Sequence, residues 1–374
     1  MCGKPNRRHN YQIEIGRMTA HDTIALLKRL IATPSLSGNE SETADILVAE
    51  LVARGVEVRR HHNNVWALSK GFDAKKPTLM LNSHQDTVKP SQNYTRNPFE
   101  PTVEEGRIYG LGSNDAGASL VALVATFCNN YDTSACRYNL LLALTAEEEN
   151  MGEKGMRSFL PHLEVEGIKV DMVLVGEPTS MQPAVGERGL VVLDCTAHGK
   201  SGHAARNEGE NALYKAMADI EKIRNFHFEK VSELLGDIKM TVTQISAGTQ
   251  HNIVPDECRF VVDIRTTDAY SNEEVVELLQ GALECDAKPR STRVRASAIA
   301  LSHPLVKSAV AMGREPFISP TTSDRAIMQG LPALKMGVGE SSRSHTADEY
   351  VLASEIEEGV ALYDRLLKEL NNTL

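Results

Sequence analysis

The segment Thr78-Leu79-Met80-Leu81-Asn82-Ser83-His84-Gln85-Asp86 decides the fold of this chain. It opens with a continuous apolar run, typical of a buried strand, and it ends with an imidazole and a carboxylate two residues apart. The pattern recurs twice: the apolar run 139–144 precedes Glu147-Glu148-Glu149, and the run 172–175 precedes Glu177. Because residues 118–127 are predicted to form a buried helix, this order predicts an α/β fold with a mainly parallel sheet covered by helices. Ligands bind at the carboxyl ends of the strands in such sheets, where these polar groups lie.

The composition excludes several classes of partner. The chain has 374 residues and a net charge of −10, which argues against nucleic acid and anionic membranes. No apolar run approaches the ~20 residues of a membrane span. The six cysteines form no C-x-x-C pair and are predicted to be buried free thiols of a cytoplasmic protein. The polar residues 1–17 lack an apolar stretch and are expected to form a disordered extension.

The chain changes character from residue 186 onward. Strands are predicted at 191–196, 239–245, 259–264 and 294–301, and helices at 212–223 and 273–283. The order β-α-β-β-α-β is that of a ferredoxin-like unit, whose open sheet edges favour pairing with a second copy. We therefore predict a catalytic domain in two pieces, residues 18–185 and 302–374. Residues 186–301 form an inserted α+β domain that serves as a dimerisation domain or lid.

Each candidate metal ligand has an ordinary alternative. His84 and Asp86 also fit a solvated loop, and Asp115, in a glycine-rich turn, also fits the N-cap of the following helix. The acidic run 147–149 also fits a solvated face, and a single histidine such as His345 is most often structural or exposed. Together, however, they supply the nitrogen and oxygen ligands that zinc binds. Two zinc ions about 3.5–4 Å apart can share a carboxylate and a water.

The joint order of these motifs resembles a family of zinc-dependent aminoacylases and carboxypeptidases. It includes acetylornithine deacetylase and succinyl-diaminopimelate desuccinylase, and the resemblance runs from about residue 20 to the C-terminus. The matching motifs are H-x-D at His84 and Asp86, the glycine-rich turn at Asp115, the Glu-Glu pair, G-E-P-[ST] at Gly176 to Thr179, and H-[TQ]-x-[DE]-E at His345 to Glu349.

The resemblance implies two Zn²⁺ per chain, with Co²⁺ as the alternative metal. One ion takes His84, Asp115 and Glu177, and the other takes Asp115, Glu149 and His345. Asp86 hydrogen-bonds the other ring nitrogen of His84, and Glu148 is the general base. A shift of the Glu-Glu pair by one residue, onto Glu147 and Glu148, is the open point of this alignment.

The inserted domain carries matching motifs on the substrate side. His203, in Gly199 to His203, is either a surface-loop residue or, as the resemblance implies, a group that reaches the active site of a partner protomer. The resemblance also implies that the substrate is bound by Arg188, Asn252, Arg265 and, in the T-S-D loop, Thr322 and Ser323. There are departures: Ala116-Gly117-Ala118 stands where many relatives have Met-Lys-Gly, Glu187 replaces an arginine of G-R-R-G, and Ala204 to Asn207 lacks the usual proline.

These motifs predict a homodimeric amidohydrolase that removes the Nα-acyl group from a small-molecule amino acid. The segments 95–99 and 108–112 most resemble acetylornithine deacetylases, which favours Nα-acetylornithine and a place in arginine biosynthesis. The alternatives are an acetyl- or succinylcitrulline deacylase, a succinyl-diaminopimelate desuccinylase and a dipeptidase. A single-zinc enzyme and a non-catalytic binding protein with the same fold also stay open.

Overall fold

The computed structural model describes residues 17–206 and 208–374. Of the expected N-terminal extension, residues 1–16 lie outside the described residues. The helices are α1 (Ala20–Ile31), α2 (Ser41–Ala53), α3 (Ala118–Asn129), α4 (Met156–Val165), α5 (Ala212–Arg224), α6 (Asn272–Ala282), α7 (Pro304–Ala311) and α8 (Ala353–Thr373).

The strands are β1 (Val58–His61), β2 (Asn64–Leu68), β3 (Thr78–His84), β4 (Thr102–Glu104), β5 (Arg107–Tyr109), β6 (Asn139–Thr145), β7 (Met172–Val175), β8 (Ala184–Glu187), β9 (Gly189–His198), β10 (Gly202–His203), β11 (Lys239–Ala247), β12 (Ile253–Val254), β13 (Glu257–Thr266), β14 (Asp286–Pro289), β15 (Ser297–Ala298), β16 (Phe317–Ser319), β17 (Ala333–Lys335) and β18 (Tyr350–Leu352).

The largest sheet is parallel at its centre. Its order is β1-β2-β6-β3-β7-β17-β8-β15, and β16 pairs with β8. The neighbours β6, β3, β7 and β17 are parallel, whereas β1, β2, β8 and β15 join through antiparallel pairs. The predicted fold class, with a mainly parallel sheet covered by helices, is therefore confirmed.

Hydrophobic residues pack on both faces of this sheet. Leu79 and Leu81 of β3 belong to a cluster with residues of α1, α3 and α8, whereas Met80 between them packs with residues of α4. Successive side chains of a strand point to opposite faces, so a strand covered on both sides must be apolar throughout. All residues of β3, β6 and β7 are buried, which explains their continuous apolar sequence.

The second sheet has four antiparallel strands in the order β11-β13-β9-β14. Its residues and those of α5 and α6 form a hydrophobic cluster of their own. The strand predicted at 294–301 is shorter than expected and lies mainly in the other sheet, since β15 covers only Ser297–Ala298 and Ser297 pairs with Glu187 of the large sheet. The fourth strand of the second sheet is instead β14, at Asp286–Pro289. The segment 294–301 crosses between the two sheets, since Val294 forms a bridge with Leu190 of β9 and Ile299 is buried in the large cluster. The domain boundaries at 185/186 and 301/302 stay a prediction; the separate cluster, whose buried residues run from Val191 to Ala287, supports an inserted unit.

Two further features are the polarity of the helices and the state of the cysteines. Within the described ranges, no helix is long and apolar enough to cross a membrane. The cysteines Cys128, Cys136, Cys195, Cys258 and Cys285 are free thiols, and three of them are buried.

We expect the variant Leu142→Ala to lower the free energy of unfolding by about 2–5 kcal/mol. Leu142 lies in β6 with 0% of its surface exposed, so truncation leaves a cavity inside the large cluster. Val165→Ala is the control, because Val165 is 86% exposed and should change stability by less than about 0.5 kcal/mol. Urea unfolding followed by circular dichroism measures both, and equal losses would contradict the central packing of β6.

Candidate metal centre

The carboxyl ends of three neighbouring parallel strands place the candidate ligands together. His84 ends β3, Glu148 and Glu149 follow β6, and Glu177 follows β7. Asp115 comes from the turn before α3, and His345 comes from the loop before β18. The strands are stiff, so their ends hold these side chains at one edge of the sheet.

Asp115 lies between two histidines. Its Oδ1 is 3.3 Å from Nε2 of His84, and its Oδ2 is 3.5 Å from Nε2 of His345. Glu177 Oε1 lies 3.5 Å from the His84 nitrogen, and Glu149 Oε2 lies 3.0 Å from the His345 nitrogen. One oxygen of Asp115 thus faces His84, which has Glu177 beside it. The other faces His345, which has Glu149 beside it. This arrangement has the form of the two expected ligand sets with a shared aspartate.

The same residues also form tighter groupings. Single ligand atoms of His84, Asp115 and Glu149 lie within 4.8 Å of one another, as do those of His84, Glu148 and Glu177. Glu148 therefore stands as close to His84 as a ligand would, and its expected role as a base needs a separate test.

Asp115 does not cap the following helix. The helix α3 begins after Gly117 without a side-chain cap, and residues 113–117 form a single wide turn in which the Asp115–Ala116 peptide bond is cis. The carboxylate is instead directed to the two histidines, so the N-cap alternative does not hold.

The three glutamate side chains of the acidic run point in two different directions. Glu147 has a positive φ of 55°, and its carboxylate accepts a hydrogen bond from the backbone N–H of Lys154 at 2.9 Å. Glu148 and Glu149 face the histidines instead. This supports the alignment of the Glu-Glu pair on residues 148 and 149, because Glu147 is committed to the loop that follows.

Asp86 contacts His84 in a different way from the one expected. The Nδ1 atom of His84 is 2.9 Å from the backbone carbonyl oxygen of Asp86 and 3.5 Å from its carboxylate. The carboxylate accepts hydrogen bonds from the backbone N–H groups of Glu148 at 3.0 Å and Glu149 at 3.2 Å. Asp86 therefore orients the imidazole through its carbonyl and holds the acidic loop through its side chain.

The electrostatics of the site fit a bound cation. Burial raises the pKa of Glu148 well above its ordinary value, and nearby Glu177 adds to the shift. Burial and nearby Asp115 raise the pKa of Glu177 to about 8. Burial alone would lower the pKa of His84, but the carboxylates around it, led by Asp115, raise it instead. Buried carboxylates at such distances repel one another, and zinc-type metals bind this set of imidazole nitrogens and carboxylate oxygens.

Glu349 ends the His345 motif and belongs to the site, although the sequence alone assigns it no role. Its carboxylate is 2% exposed and accepts backbone hydrogen bonds from Gly112 at 3.0 Å and from Asn114 and Asp115 at 2.8 Å. Burial and the charge of Asp115 raise its pKa to about 8. The turn that carries Asp115 is therefore held by a carboxylate from the other end of the chain. Its place four residues after His345 was the available signal.

Asp324 ends the T-S-D motif, and the sequence alone likewise assigns it no role. It is 2% exposed, and its carboxylate accepts a hydrogen bond at 2.9 Å from the hydroxyl of Thr145, the last residue of β6. Burial raises the pKa of Asp324 to about 7. The T-S-D loop is thereby fastened next to the acidic run.

The two arginines that are expected to bind substrate already have hydrogen-bond partners within the protein. Arg188 donates to the backbone carbonyls of Leu235 and, at 2.7 Å, of Asp237. Arg265 pairs with Asp263 at 2.8 and 3.1 Å. Both arginines would have to exchange these partners to bind a substrate carboxylate.

The two expected residues of the T-S-D loop differ from each other. Ser323 is 0% exposed and donates its hydroxyl hydrogen to Glu187 at 2.8 Å. Thr322 is half-buried. Of this pair, Thr322 has the surface that a substrate could reach.

His203 and Asn252 lie beside each other in the inserted unit. β10 pairs with β12 so that His203 faces Ile253, and Ala204 donates its N–H to the carbonyl of Asn252 at 3.0 Å. His203 is exposed, and its Nδ1 accepts a hydrogen bond from the N–H of Ala205 at 3.1 Å. No hydrogen bond or ion pair in residues 17–206 and 208–374 joins His203 to the candidate ligands.

Comparison with known proteins identifies the family. A model of the peptidase family M20/M25/M40 matches residues 80–369. The chain belongs to this family. A succinyl-diaminopimelate desuccinylase from Corynebacterium glutamicum is 27% identical over 375 residues, which cover 96% of this chain and 100% of the relative. The resemblance to the deacetylase and desuccinylase group is thereby confirmed.

Solved structures of the M20 family share the fold. The aminopeptidase PepT from Bacillus cereus matches with a TM-score of 0.75 at 18% identity, covering 95% of this chain and 100% of that one. The Bacillus subtilis protein YXEP, described as a dinuclear metal-binding peptidase, matches with a TM-score of 0.69 at 16% identity, covering 95% and 99%. As an M20 member, this chain is a metal-dependent hydrolase of amide bonds.

We expect Glu349→Gln to weaken metal binding about 10- to 100-fold, the usual effect of losing a residue that orients a ligand. The amide would keep one acceptor and turn its NH₂ group toward a backbone N–H that now donates to the carboxylate. Competition between the protein and a zinc chelator measures the affinity. Glu357→Gln, an exposed position on α8, is the control. Wild-type affinity in Glu349→Gln would mean that the Asp115 turn holds its shape without this carboxylate.

Proposed function

We propose that this chain is a two-zinc amidohydrolase that removes the Nα-acyl group from an amino acid. The observation that carries the proposal is the position of Asp115, with one carboxylate oxygen toward His84 and the other toward His345. A carboxylate placed in this way can bridge two metal ions. His84 and Glu177 would complete one site, and Glu149 and His345 the other.

The metals, when bound, would lower the pKa of a bound water and polarise the acyl carbonyl of the substrate. Glu148 takes a proton from the attacking water and passes it to the nitrogen of the leaving amine. Asp86 keeps Glu148 in place through the hydrogen bond that its carboxylate accepts from the Glu148 N–H. His203 donates a hydrogen bond to the oxyanion.

Nα-acetylornithine is the first substrate that we propose, on the resemblance of segments 95–99 and 108–112 to acetylornithine deacetylases. N-succinyl-diaminopimelate is a second candidate, favoured by the names of relatives that cover almost the whole chain. Both reactions break an amide bond next to the α-carbon of an amino acid, so the same metal centre serves either. With Nα-acetylornithine as the substrate, we propose that the protein is cytoplasmic and acts in arginine biosynthesis.

We propose a homodimer in which His203 of the partner subunit enters the active site. The edge strand β11 supports this proposal, because among the described strands it pairs only with β13 and most of its residues are exposed. Nearby α5 exposes Tyr214 and Met217, which are 68% and 55% accessible. Unpaired strand edges and exposed apolar side chains favour association with a second copy.

We expect zinc-loaded protein to hydrolyse at least one of four compounds: Nα-acetylornithine, Nα-acetylcitrulline, Nα-succinylcitrulline and N-succinyl-diaminopimelate. Release of the free amine is followed by chromatography. Glu148→Ala should lose about 10²–10⁴-fold in kcat, because it lacks the group that transfers the proton, and it should keep its metal content.

The metal content of Glu148→Ala separates the two roles of that residue. Loss of metal together with activity would make Glu148 a ligand, in line with its closeness to His84 and Glu177. Glu147→Ala is the matched control in the same run, and we expect it to keep most of the activity. No hydrolysis of any of the four compounds by the wild type would reject the proposed substrate class.

We expect an equal mixture of two inactive variants, His203→Ala and Glu148→Ala, to regain activity after the subunits are exchanged. If His203 acts across a dimer, one site of each mixed dimer contains an intact His203 and an intact Glu148. The increase above either parent is measured with the best substrate of the panel. A mixture no more active than its parents, once mass spectrometry has shown mixed dimers, would assign His203 to its own subunit or to no catalytic role.

A further inference from the structure

Glu187 is a buried carboxylate that has no role in the proposed mechanism. It ends β8 in the large sheet and is 0% exposed. Its Oε1 accepts a hydrogen bond from the hydroxyl of Ser323 at 2.8 Å and lies 3.2 Å from the ammonium nitrogen of Lys335. The guanidinium group of Arg325 is 4.0 Å away. One oxygen atom thus serves a hydroxyl and two cations.

Lys335 connects this carboxylate to the T-S-D loop. Its side chain is 2% exposed, and its ammonium group donates to the hydroxyl of Thr321 at 2.9 Å and to the Thr321 carbonyl at 3.3 Å. The ammonium group thus contacts both Glu187 and Thr321. Lys335 therefore joins Glu187, at the end of β8, to the residue that precedes the T-S-D loop.

We call residues 321–325 the anchored segment, because four of its five residues are fastened. Thr321 binds Lys335, Ser323 binds Glu187, and Asp324 binds Thr145. Arg325 donates to the carbonyls of Ala184 at 2.9 Å and Val185 at 3.3 Å, both in β8. The fifth residue, Thr322, is half-buried, and its hydroxyl makes no hydrogen bond with the described part of the chain.

Stability alone does not explain why these charged groups are buried. Taking a carboxylate and an ammonium group out of water costs several kcal/mol per ion, and their attraction often does no more than offset this. A buried pair with several hydrogen bonds does, however, select one arrangement of the groups that it joins. Here the joined groups are β8, β17 and the anchored segment, which also contacts the strand that carries Glu148 and Glu149.

We propose that Glu187 is a positioning residue for substrate binding: through Ser323 and Lys335 it fixes the anchored segment so that Thr322 meets the amino-acid part of the substrate. The contact with substrate rests on the proposed function, whereas the anchoring of the segment does not. Glu187 lies outside the candidate ligand set, so its loss should leave the metals and the hydrolytic step in place.

The test uses the double variant Glu187→Met/Lys335→Met. Removing both charges avoids leaving Lys335 as an unpaired buried ammonium group, and Arg325 keeps the carbonyl oxygens of Ala184 and Val185 as hydrogen-bond acceptors. We expect a folded protein with wild-type metal content. Amide hydrogen exchange of residues 321–325 should become faster, while that of residues 112–117 at the metal centre stays unchanged. KM for the best substrate should rise on the order of tenfold, and kcat should change little.

Two comparisons sharpen the result. Half-buried Arg314 and exposed Glu358, which lie 3.2 Å apart and outside the anchored segment, give the control variant Arg314→Met/Glu358→Met, which should change neither exchange nor KM. Thr322→Ala should raise KM in the wild type and add little to the double variant, because both changes remove the same contact. Additive effects of Thr322→Ala and the double variant would contradict the proposed route from Glu187 to substrate.

The failure of this inference can be told apart from failure of the proposed function. Unchanged exchange in residues 321–325 would overturn the anchoring role, whatever the substrate. Faster exchange with an unchanged KM would overturn the role in substrate binding. If the wild type hydrolyses no acyl amino acid, the proposed function fails, and the exchange measurement alone decides whether Glu187 holds the segment.

Discussion

Buried negative charge at the carboxyl edge of β3, β6 and β7 is the constraint on which the rest of the structure depends. Four carboxylates, those of Asp115, Glu148, Glu149 and Glu177, meet two imidazoles there. Burial and mutual repulsion raise the pKa of Glu148 and Glu177, so the protein alone does not stabilise these charges. Metal cations offset such a cluster, and the ligand types are those that zinc binds.

The parts of the chain around this cluster keep the charges close despite their repulsion. Two further carboxylates do so by accepting hydrogen bonds from the backbone of the loops that carry the ligands. Glu349 accepts three N–H groups of the turn that carries Asp115, and Asp86 accepts the N–H groups of Glu148 and Glu149. A carboxylate that accepts backbone hydrogen bonds fixes a whole loop, and with it the direction of the ligand side chain. The geometry of the centre thus depends on residues that need not touch a metal.

The substrate side is built differently from the metal side. The metal side comes from the ends of stiff strands in one sheet. The residues proposed to bind substrate lie in the anchored segment and in an inserted unit, where Arg188 donates to the backbone carbonyl of Asp237 and Arg265 pairs with the carboxylate of Asp263. Family membership shows the type of reaction, and we propose that this second group of residues selects the amino acid that is released. Glu187, which stands where the resemblance implies an arginine, contacts this group through Ser323.

The sequence by itself determined the parts of the molecule that local pattern controls. A strand covered on both faces is apolar throughout, so the runs 78–81, 139–144 and 172–175 could be recognised singly, and their order predicted the sheet and the edge where the ligands meet. The α5 and α6 positions of the inserted unit followed from helical periodicity in the same way. These features depend on neighbours within a few residues.

Only the tertiary structure decided the features that depend on distant partners. Glu349 binds Gly112 across 237 residues of sequence, and Ser323 binds Glu187 across 136. The turn of Glu147 away from Glu148 depends on Lys154, and the segment 294–301 proved to contact both sheets, the second one through Val294 and the large one through Ser297. A polar side chain in sequence carries no mark of its partner, because hydrogen bonds and ion pairs are defined by spatial contact, which the folded chain alone creates.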